Sequence, residues 1–360
     1  MKEIVNRLGK YALVRAVSLG LTLVLAVYLT IVIANWGGAL DEVRKSQIMF
    51  EEQIKLEAMQ QEDPLPPDEY HRRLQDMQER AIIRAGLHRP FPVRSVMYLS
   101  NALSLNLGRA EYMRSDYGSR QVSRILLERL PPTLLLIGTA ELIVFVVGLF
   151  MALVLSRRYG SRLDRAIIAL APTSAAPGWF YGIFLLLIFA AVLQILPWGR
   201  MAAPGLESGS LEHALSVAKH MILPVGAIVI GTVFSSIYSS RTFFLIYSSE
   251  EYVELAKAKG LSDREIERRY ILRPTLPPII TSFVLMIITV WMGMIVLESV
   301  FRWPGIGQAF FTALTNFDTP VIVGVVVIYG YLLAVSVFLL EFTYAALDPR
   351  VRVSIGGGQK

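Results

Sequence analysis

The chain has 360 residues, of which 54% are hydrophobic and only 18% are charged, and its mean hydropathy is +0.51. A soluble domain carries about 25% charged residues, so this composition argues against a soluble enzyme and against a disordered chain, and much of the apolar surface must face lipid. The formal net charge is +6 and there is no Cys, which excludes disulfide and thiolate chemistry.

Six apolar segments are each long enough, at about 20 residues, to cross a bilayer as a helix. They are residues 16–34, 133–155, 166–196, 220–247, 276–301 and 320–345. The first follows basic residues, as a secretory signal does. It is longer than the usual signal core of about 7–15 residues, so we interpret it as a retained transmembrane helix. In the third segment, Pro172, Pro177 and Gly178 predict a kink.

The basic residues indicate the orientation of these spans. With the N-terminus inside, most Lys and Arg lie in internal segments, and the two short external loops hold only Arg200, Lys219 and Arg302. The positive-inside rule therefore predicts that both termini are cytoplasmic. The basic charge is then a topology signal, and we predict no nucleic-acid partner.

The segment 36–127 is the only sizeable polar part, and two helices are predicted in it, over 41–62 and 68–85. The breaker at 63–68 should reverse the chain between them, and Gly86 should end the second helix. Either this segment meets an external partner, or it only shields the ends of the spans.

Sequence motifs for catalysis are missing from the chain. There is no GxxxxGK[ST] phosphate-binding loop, no HExxH and no GxSxG. We find no converging metal ligands among the four His residues. These absences predict a transport pathway rather than an enzyme, with no cofactor or metal bound by this chain.

Residues 250–274 form an unusually long polar loop between the fourth and fifth spans. Its first half favours a helix that is broken at Gly260. Ser262 and Glu265 then predict a capping box that starts a second helix, and Glu265 is placed to pair with Arg269. Small Ala256 and Ala258 on the first helix would let another protein come close, whereas an ordinary polar loop is the alternative.

Glu254-Leu255-Ala256, followed after three residues by Gly260, resembles the EAA loop of ABC-transporter permeases, in particular the oligopeptide/dipeptide/nickel importer branch. Further similar strings occur in the same order at 129–134, 223–224, 298–307 and 344–350. The segment 37–85 is longer than the corresponding region of that family usually is.

The resemblance implies an all-α membrane protein with six transmembrane helices, the type I ABC importer permease fold, and a helical extracytoplasmic insertion after the first span. The divisions would be residues 1–35 (tail and first span), 36–127 (extracytoplasmic segment), 128–345 (permease core, with the EAA loop at about 250–274) and 346–360 (cytoplasmic tail). The protein would be multi-pass in the plasma (inner) membrane.

In function, the resemblance implies a permease subunit that forms half of the path for a peptide-like solute. Its partners would be a second homologous permease, cytoplasmic ABC ATPase subunits that bind the ATP, an extracytoplasmic solute-binding protein and membrane lipid. A di- or oligopeptide, a nickel chelate and an oligosaccharide all remain open as the solute. A secondary transporter or channel that works without ATPases is the alternative, and a polytopic membrane enzyme comes third.

Two sets of site residues follow. The resemblance assigns ATPase coupling to Glu254, Ala256, Ala258, Lys259 and Gly260, with Gly260 as the hinge of the loop. Candidates for the translocation path are Ser235, Ser236, Ser239 and Glu298.

Four charges lie within or at the border of spans, namely Glu141, Glu298, Glu341 and Arg241. A central carboxylate costs about 2.5–3.5 kcal/mol on insertion scales, so each carboxylate should face a partner or water. For Arg241, we expect a side chain that extends to the inner membrane surface.

Overall fold

A computed structural model of the chain describes residues 2–34, 38–62, 65–275, 278–279, 281–283, 285 and 294–347. The α-helices are, in chain order, α1 (Lys2–Ala34), α2 (Ala39–Glu62), α3 (Pro67–Arg84), α4 (Phe91–Leu103), α5 (Val122–Arg157), α6 (Arg162–Leu170), α7 (Gly178–Leu185), α8 (Leu211–Ser248), α9 (Glu251–Ala258), α10 (Asp263–Ile266), α11 (Ile295–Val300), α12 (Ile306–Thr315) and α13 (Thr319–Leu347). Within these ranges the only β-type pairing is an isolated bridge between Arg109 and Gln121. The predicted all-α class is therefore confirmed.

Four of the described helices, α1, α5, α8 and α13, are long and apolar enough to cross a membrane. They coincide with the first, second, fourth and sixth predicted spans. Much of the fifth, at 276–301, lies outside the described residues, where the chain is described again from Met294. The number of six spans therefore stays a prediction.

The third predicted span is a broken one. Helix α6 continues into a 3₁₀ turn, Ala171–Ala175, and α7 continues into a π-helical turn, Leu186–Val192; the two halves meet at 97°. Pro177 lacks the N–H that would continue the first helix, and the residue before it, Ala176, is extended, as proline requires. The predicted kink is confirmed, and the break brings the start of α7 against α8.

Small residues let α5, α7 and α8 pack closely. A Cβ added to Gly148 of α5 would lie 2.7 Å from the Oγ of Ser236 on α8. Where α7 meets α8, a Cβ on Gly231 would lie 3.3 Å from the Cα of Gly178. Close backbone approach at small residues is a common way to pack helices in membranes, because dispersion contacts replace the hydrophobic effect there.

Helices α2 and α3 form the hairpin predicted for the polar segment. Gln78 in α3 donates to the carbonyl of Met49 in α2 at 3.0 Å, which requires that the chain reverses between them. Gly86 ends this part with a φ of +74°, as predicted. Below the hairpin, Arg94 of α4 donates to Asp41 at 2.6 Å, and this hydrogen bond raises the pKa of the guanidinium. A mostly buried ion pair thus ties α2 to α4 within the polar segment.

The connection between α4 and α5 is held by a carboxylate from the other end of the chain. Asp318, fully buried before α13, accepts the backbone N–H groups of Glu111, Tyr112 and Met113 at 3.2, 2.9 and 3.0 Å. Three N–H donors on one carboxylate satisfy backbone groups that would otherwise be buried without a partner. Asp318 therefore fixes the polar segment to the membrane core.

Candidate functional site

A cavity of about 420 Å³ lies between α5, α8, the 3₁₀ turn and the described residues that follow the 250–274 loop. Its polar lining consists of Glu141, Ser174, Thr232, Ser235, Ser236, Ser239, Ser240, Thr275 and Ser282. The three serines predicted for a path, Ser235, Ser236 and Ser239, thus share one cavity. Apolar side chains such as Phe145 and Phe244 complete the wall.

Glu141 is part of this lining, although it lies near the middle of the apolar span α5. Sequence reasoning expected it to face a partner or water, and the residue lines the cavity. The same reasoning did not place it with the serines, because residues 141 and 235 are far apart in the chain and only the packing of α5 on α8 joins them. The side chain of Glu341 lies outside the described side chains.

Glu298 does not line the cavity. It is fully buried, and its carboxylate accepts the Thr133 hydroxyl at 2.8 Å and the backbone N–H of Gln308 at 3.0 Å. Thr133 in turn accepts the N–H of Ile306 at 2.8 Å. Two of the unpaired N–H groups at the start of α12 are therefore satisfied by side chains of other elements.

The surroundings of Glu298 show why a small residue stands beside it. A Cβ on Gly305 would lie 2.3 Å from the Glu298 Oε2 atom. Within this structure Glu298 thus supports the packing of α11 and α12 against α5, and its place in a translocation path stays a prediction.

The expectation for Arg241 is wrong. The residue is only 6% exposed, so its side chain does not extend to water. Instead the guanidinium forms two hydrogen bonds with the buried carboxylate of Asp164 in α6, from Nε to Oδ1 and from Nη2 to Oδ2, the second at 2.6 Å. The Arg241 Cζ also lies 5.2 Å from the centre of the Tyr159 ring. A buried partner removes the need to reach water.

Asp164 is held from the other side as well. Its Oδ2 atom accepts the backbone N–H of Gly160 at 2.9 Å, and the Ser161 hydroxyl accepts the Asp164 N–H as the N-cap of α6. The ion pair therefore joins α8 to the turn between α5 and α6. Sequence reasoning missed Asp164, since nothing in its spacing connects it with a residue 77 positions further along the chain.

The 250–274 loop is folded as predicted, with a helix, a break at Gly260 and a second helix. Helix α9 ends in a Schellman motif, in which the N–H of Leu261 donates to Ala256 at 3.3 Å and that of Gly260 donates to Lys257 at 2.9 Å. Gly260 has a φ of +77°, the left-handed conformation that glycine enters freely. The predicted break at Gly260 is confirmed.

The capping box predicted after Gly260 is not formed. Ser262 is the N-cap of α10, but its side chain makes no capping hydrogen bond. Helix α10 instead passes directly into a wider, π-helical turn, Glu267–Leu272. The predicted pair of Glu265 and Arg269 is present, with 2.8 Å between Oε1 and Nη1.

The two faces of α9 have different surroundings. Val253 and Ala256 are buried against Ile266, Leu261 and Tyr270, so that the loop has a small core of its own. Ala256 is buried and therefore lies on the inward face of α9, and its predicted part in ATPase coupling stays a prediction.

The other face of α9 is open. Glu254, Ala258, Lys259 and Gly260 are exposed, and so are the large side chains of Tyr252 and Leu255, at 38% and 57%. Leu255 and Tyr252 were not among the predicted coupling residues, although apolar residues on the outward side of a polar helix are a signal that the sequence carries.

The loop is joined to the spans at two places. Glu267 accepts two hydrogen bonds from the Arg157 guanidinium at the end of α5, at 2.6 and 3.0 Å. Thr275 follows the loop directly, is fully buried, and forms part of the cavity wall. A movement of the loop would therefore reach the cavity wall through Thr275 and the end of α5 through Arg157.

These features define an integral membrane protein of the transport class, with a polar cavity between apolar helices and a structured loop that has an exposed face. Among the described residues, no group of three His, Asp or Glu side chains could hold a metal ion.

Comparison with known proteins agrees with this class. The sequence profile of the family described as binding-protein-dependent transport system inner membrane component matches residues 144–353. The chain is 28% identical over 265 residues to the dipeptide transport system permease protein DppB of Bacillus subtilis, covering 73% of this chain and 80% of that protein. It is 27% identical over 274 residues to the oligopeptide transport system permease protein AppB of the same species, covering 76% and 84%.

A third relative is the di/tripeptide transport system permease protein DppB of Pseudomonas aeruginosa, 28% identical over 293 residues that cover 77% of this chain and 85% of that protein. The chain belongs to the family of inner-membrane components of binding-protein-dependent transport systems. It is the permease of an ABC transport system and a multi-pass membrane protein, as its EAA-type loop indicated. The family implies a solute-binding protein and an ATPase as partners.

Proposed function

We propose that this chain forms half of the translocation path of an ATP-driven importer for peptide-like solutes, and that the path opens alternately to the two sides of the membrane. Its relatives named above are peptide permeases. The cavity supports this solute class, because Ser and Thr hydroxyls both donate and accept hydrogen bonds and therefore suit a peptide backbone.

The observation that carries the proposal is the continuity between the 250–274 loop and the cavity. The exposed face of α9 offers Tyr252 and Leu255 to a partner, while the same loop ends at Thr275 in the cavity wall. An ATPase that closes on α9 would push on a compact unit with its own small core, and such a unit transmits displacement because packed interiors are stiff.

The proposed partners occupy different faces of the permease. ABC ATPase subunits, which bind the ATP, would dock on α9 from the cytoplasm, and a second homologous permease would complete the path. An extracytoplasmic binding protein would deliver the solute to the side that carries α2 and α3, and lipid would surround the exposed apolar residues of the spans.

Co-purification tests the partner at α9. The tagged full-length chain, expressed with its transport subunits and solubilised in detergent, should retain the ATPase, and Leu255→Glu should reduce that retention at least tenfold. Leu211→Glu, a change of the same chemistry at the exposed start of α8, is the matched control and should retain it fully. Equal retention by both variants would contradict docking at α9, and solute uptake without any ATPase would favour a secondary transporter or channel.

We propose further that both termini are cytoplasmic and that the α2–α3 hairpin is extracytoplasmic. A reporter fused after Lys360 should then be active only in the cytoplasm, and a reporter inserted at Pro66, in the turn of the hairpin, should be active only outside. Activity of both reporters on one side of the membrane would contradict this topology.

A further inference from the structure

Glu141 is the one charged side chain among the described residues that line the cavity between α5 and α8. The other polar groups of the wall are neutral hydroxyls. Of these, the Ser174 hydroxyl is buried and has no hydrogen-bond partner in the part of the chain that the structure describes. A single carboxylate surrounded by neutral donors and acceptors gives the cavity a negative potential.

The other charges that are buried in the described parts of the spans already have partners. Arg241 and Asp164 neutralise one another, and Glu298 is held by Thr133 and a helix N-terminus. Glu141, by contrast, has no hydrogen bond or ion pair with any described residue, although it lies within a long apolar helix. Buried charges in proteins are paired, and a cation that enters the cavity would supply the partner that this carboxylate lacks among the described residues.

We propose that Glu141 binds a primary ammonium group of the transported solute, with the hydroxyls of the cavity accepting its remaining hydrogen bonds. This inference rests on the proposed import of peptide-like solutes. An ammonium group has three donors and no acceptor, which matches one carboxylate and several hydroxyl oxygens such as those of Ser239 and Ser174. Hard divalent cations need several carboxylate or carbonyl ligands, which this wall does not bring together.

The absence of Cys from the chain allows a direct test of the charge preference. Ser239→Cys places a thiol in the cavity of the complete transporter, and its modification by a cationic and by an anionic methanethiosulfonate reagent is followed by mass on this chain. We expect the cationic reagent to react at least tenfold faster, after correction for the reactivity of a free thiol. Adding Glu141→Gln, which keeps the size of the side chain, should reduce this preference at least fivefold.

Ser104→Cys, on the exposed end of α4, is the control and should show the same reagent ratio with and without the Glu141→Gln substitution. An unchanged ratio at Ser239→Cys after Glu141→Gln would overturn the proposal. A Ser239→Cys thiol that reacts with neither reagent, while Ser104→Cys reacts with both, would overturn it as well, since the site would then be closed to solutes.

Uptake identifies the source of the ammonium group. The rates of peptide uptake by the Glu141→Gln variant and by the wild-type transporter are compared, each with the same binding protein. One substrate is a peptide with a free amino terminus, and the other is the same peptide extended by one Lys residue. An equal loss for both peptides assigns the amino terminus, and a larger loss for the Lys peptide assigns the side chain. If the Glu141→Gln variant took up both peptides at the wild-type rate, the proposed ammonium site would be refuted. If the wild-type transporter took up no peptide at all, the proposed function would be refuted instead. The thiol test would then decide whether the cavity prefers cations.

Discussion

Gly260→Val should abolish solute uptake while the amount of this chain in the membrane stays at the wild-type level. Gly260 closes α9 in a left-handed conformation, with a φ of +77°. A β-branched residue is strained there, and such strain costs about 1–3 kcal/mol. That is too little to prevent apolar spans from inserting, but enough to move α9, and its exposed face, away from the surface of a docked partner. The assay is uptake together with ATPase co-purification.

The structure makes the cause of this effect testable. A Cβ built on Gly260 has no atom within 4 Å, so any effect of a substitution comes from the backbone conformation and not from a clash. Uptake should therefore follow the preference for positive φ: Gly260→Asn should stay close to wild type, Gly260→Ala should be intermediate, and Gly260→Val should be inactive.

Two outcomes would contradict the coupling role of Gly260. Wild-type uptake and ATPase co-purification in Gly260→Val would leave the residue as a helix cap without a role in docking. Equal failure of Gly260→Asn and Gly260→Val would mean that the position does not tolerate any side chain, against the open space seen around it.

Local patterns in the sequence were sufficient for the features that depend on neighbouring residues. The helix–break–helix form of the 250–274 loop, the pair of Glu265 and Arg269, and the kink at Pro177 all follow from residues within one or two turns of each other. The capping box failed even at this range: Ser262 is the N-cap of α10, but its side chain makes no capping hydrogen bond, and nothing in the structure explains why.

Features that depend on how the helices rotate against each other could not be predicted in this way. Hydropathy locates a span but does not say which of its faces meets a neighbour. The side chain of Arg241 was therefore expected to reach water, whereas the packing of α8 on α6 places it against Asp164. For the same reason the sequence did not separate Glu141, which faces the cavity, from Glu298, which supports α12.

The second large effect concerns the buried ion pair of Arg241 and Asp164. Asp164→Ala should strongly destabilise the protein, because it leaves a guanidinium that is only 6% exposed without its countercharge. Breaking one partner of a buried pair typically costs about 3–5 kcal/mol. We expect a clearly lower melting temperature of the detergent-solubilised transporter and less of this chain in the membrane. The measurement is thermal denaturation followed by size-exclusion chromatography.

The uncompensated charge of Arg241 is the cause of the destabilisation only if removing that charge restores stability. The double variant Asp164→Leu with Arg241→Met replaces the pair by apolar side chains and should recover most of the loss, although the N–H of Gly160 then loses its acceptor.

Asp76→Ala is the matched control, since it breaks an exposed pair with Arg80 in α3. Such pairs contribute about 0.3–0.5 kcal/mol, so the melting temperature should hardly change. If Asp164→Ala melted like Asp76→Ala, the contact between α6 and α8 would not depend on the ion pair. If the double variant were as unstable as Asp164→Ala, the cost would lie in the lost hydrogen bonds of Asp164 and not in an uncompensated charge.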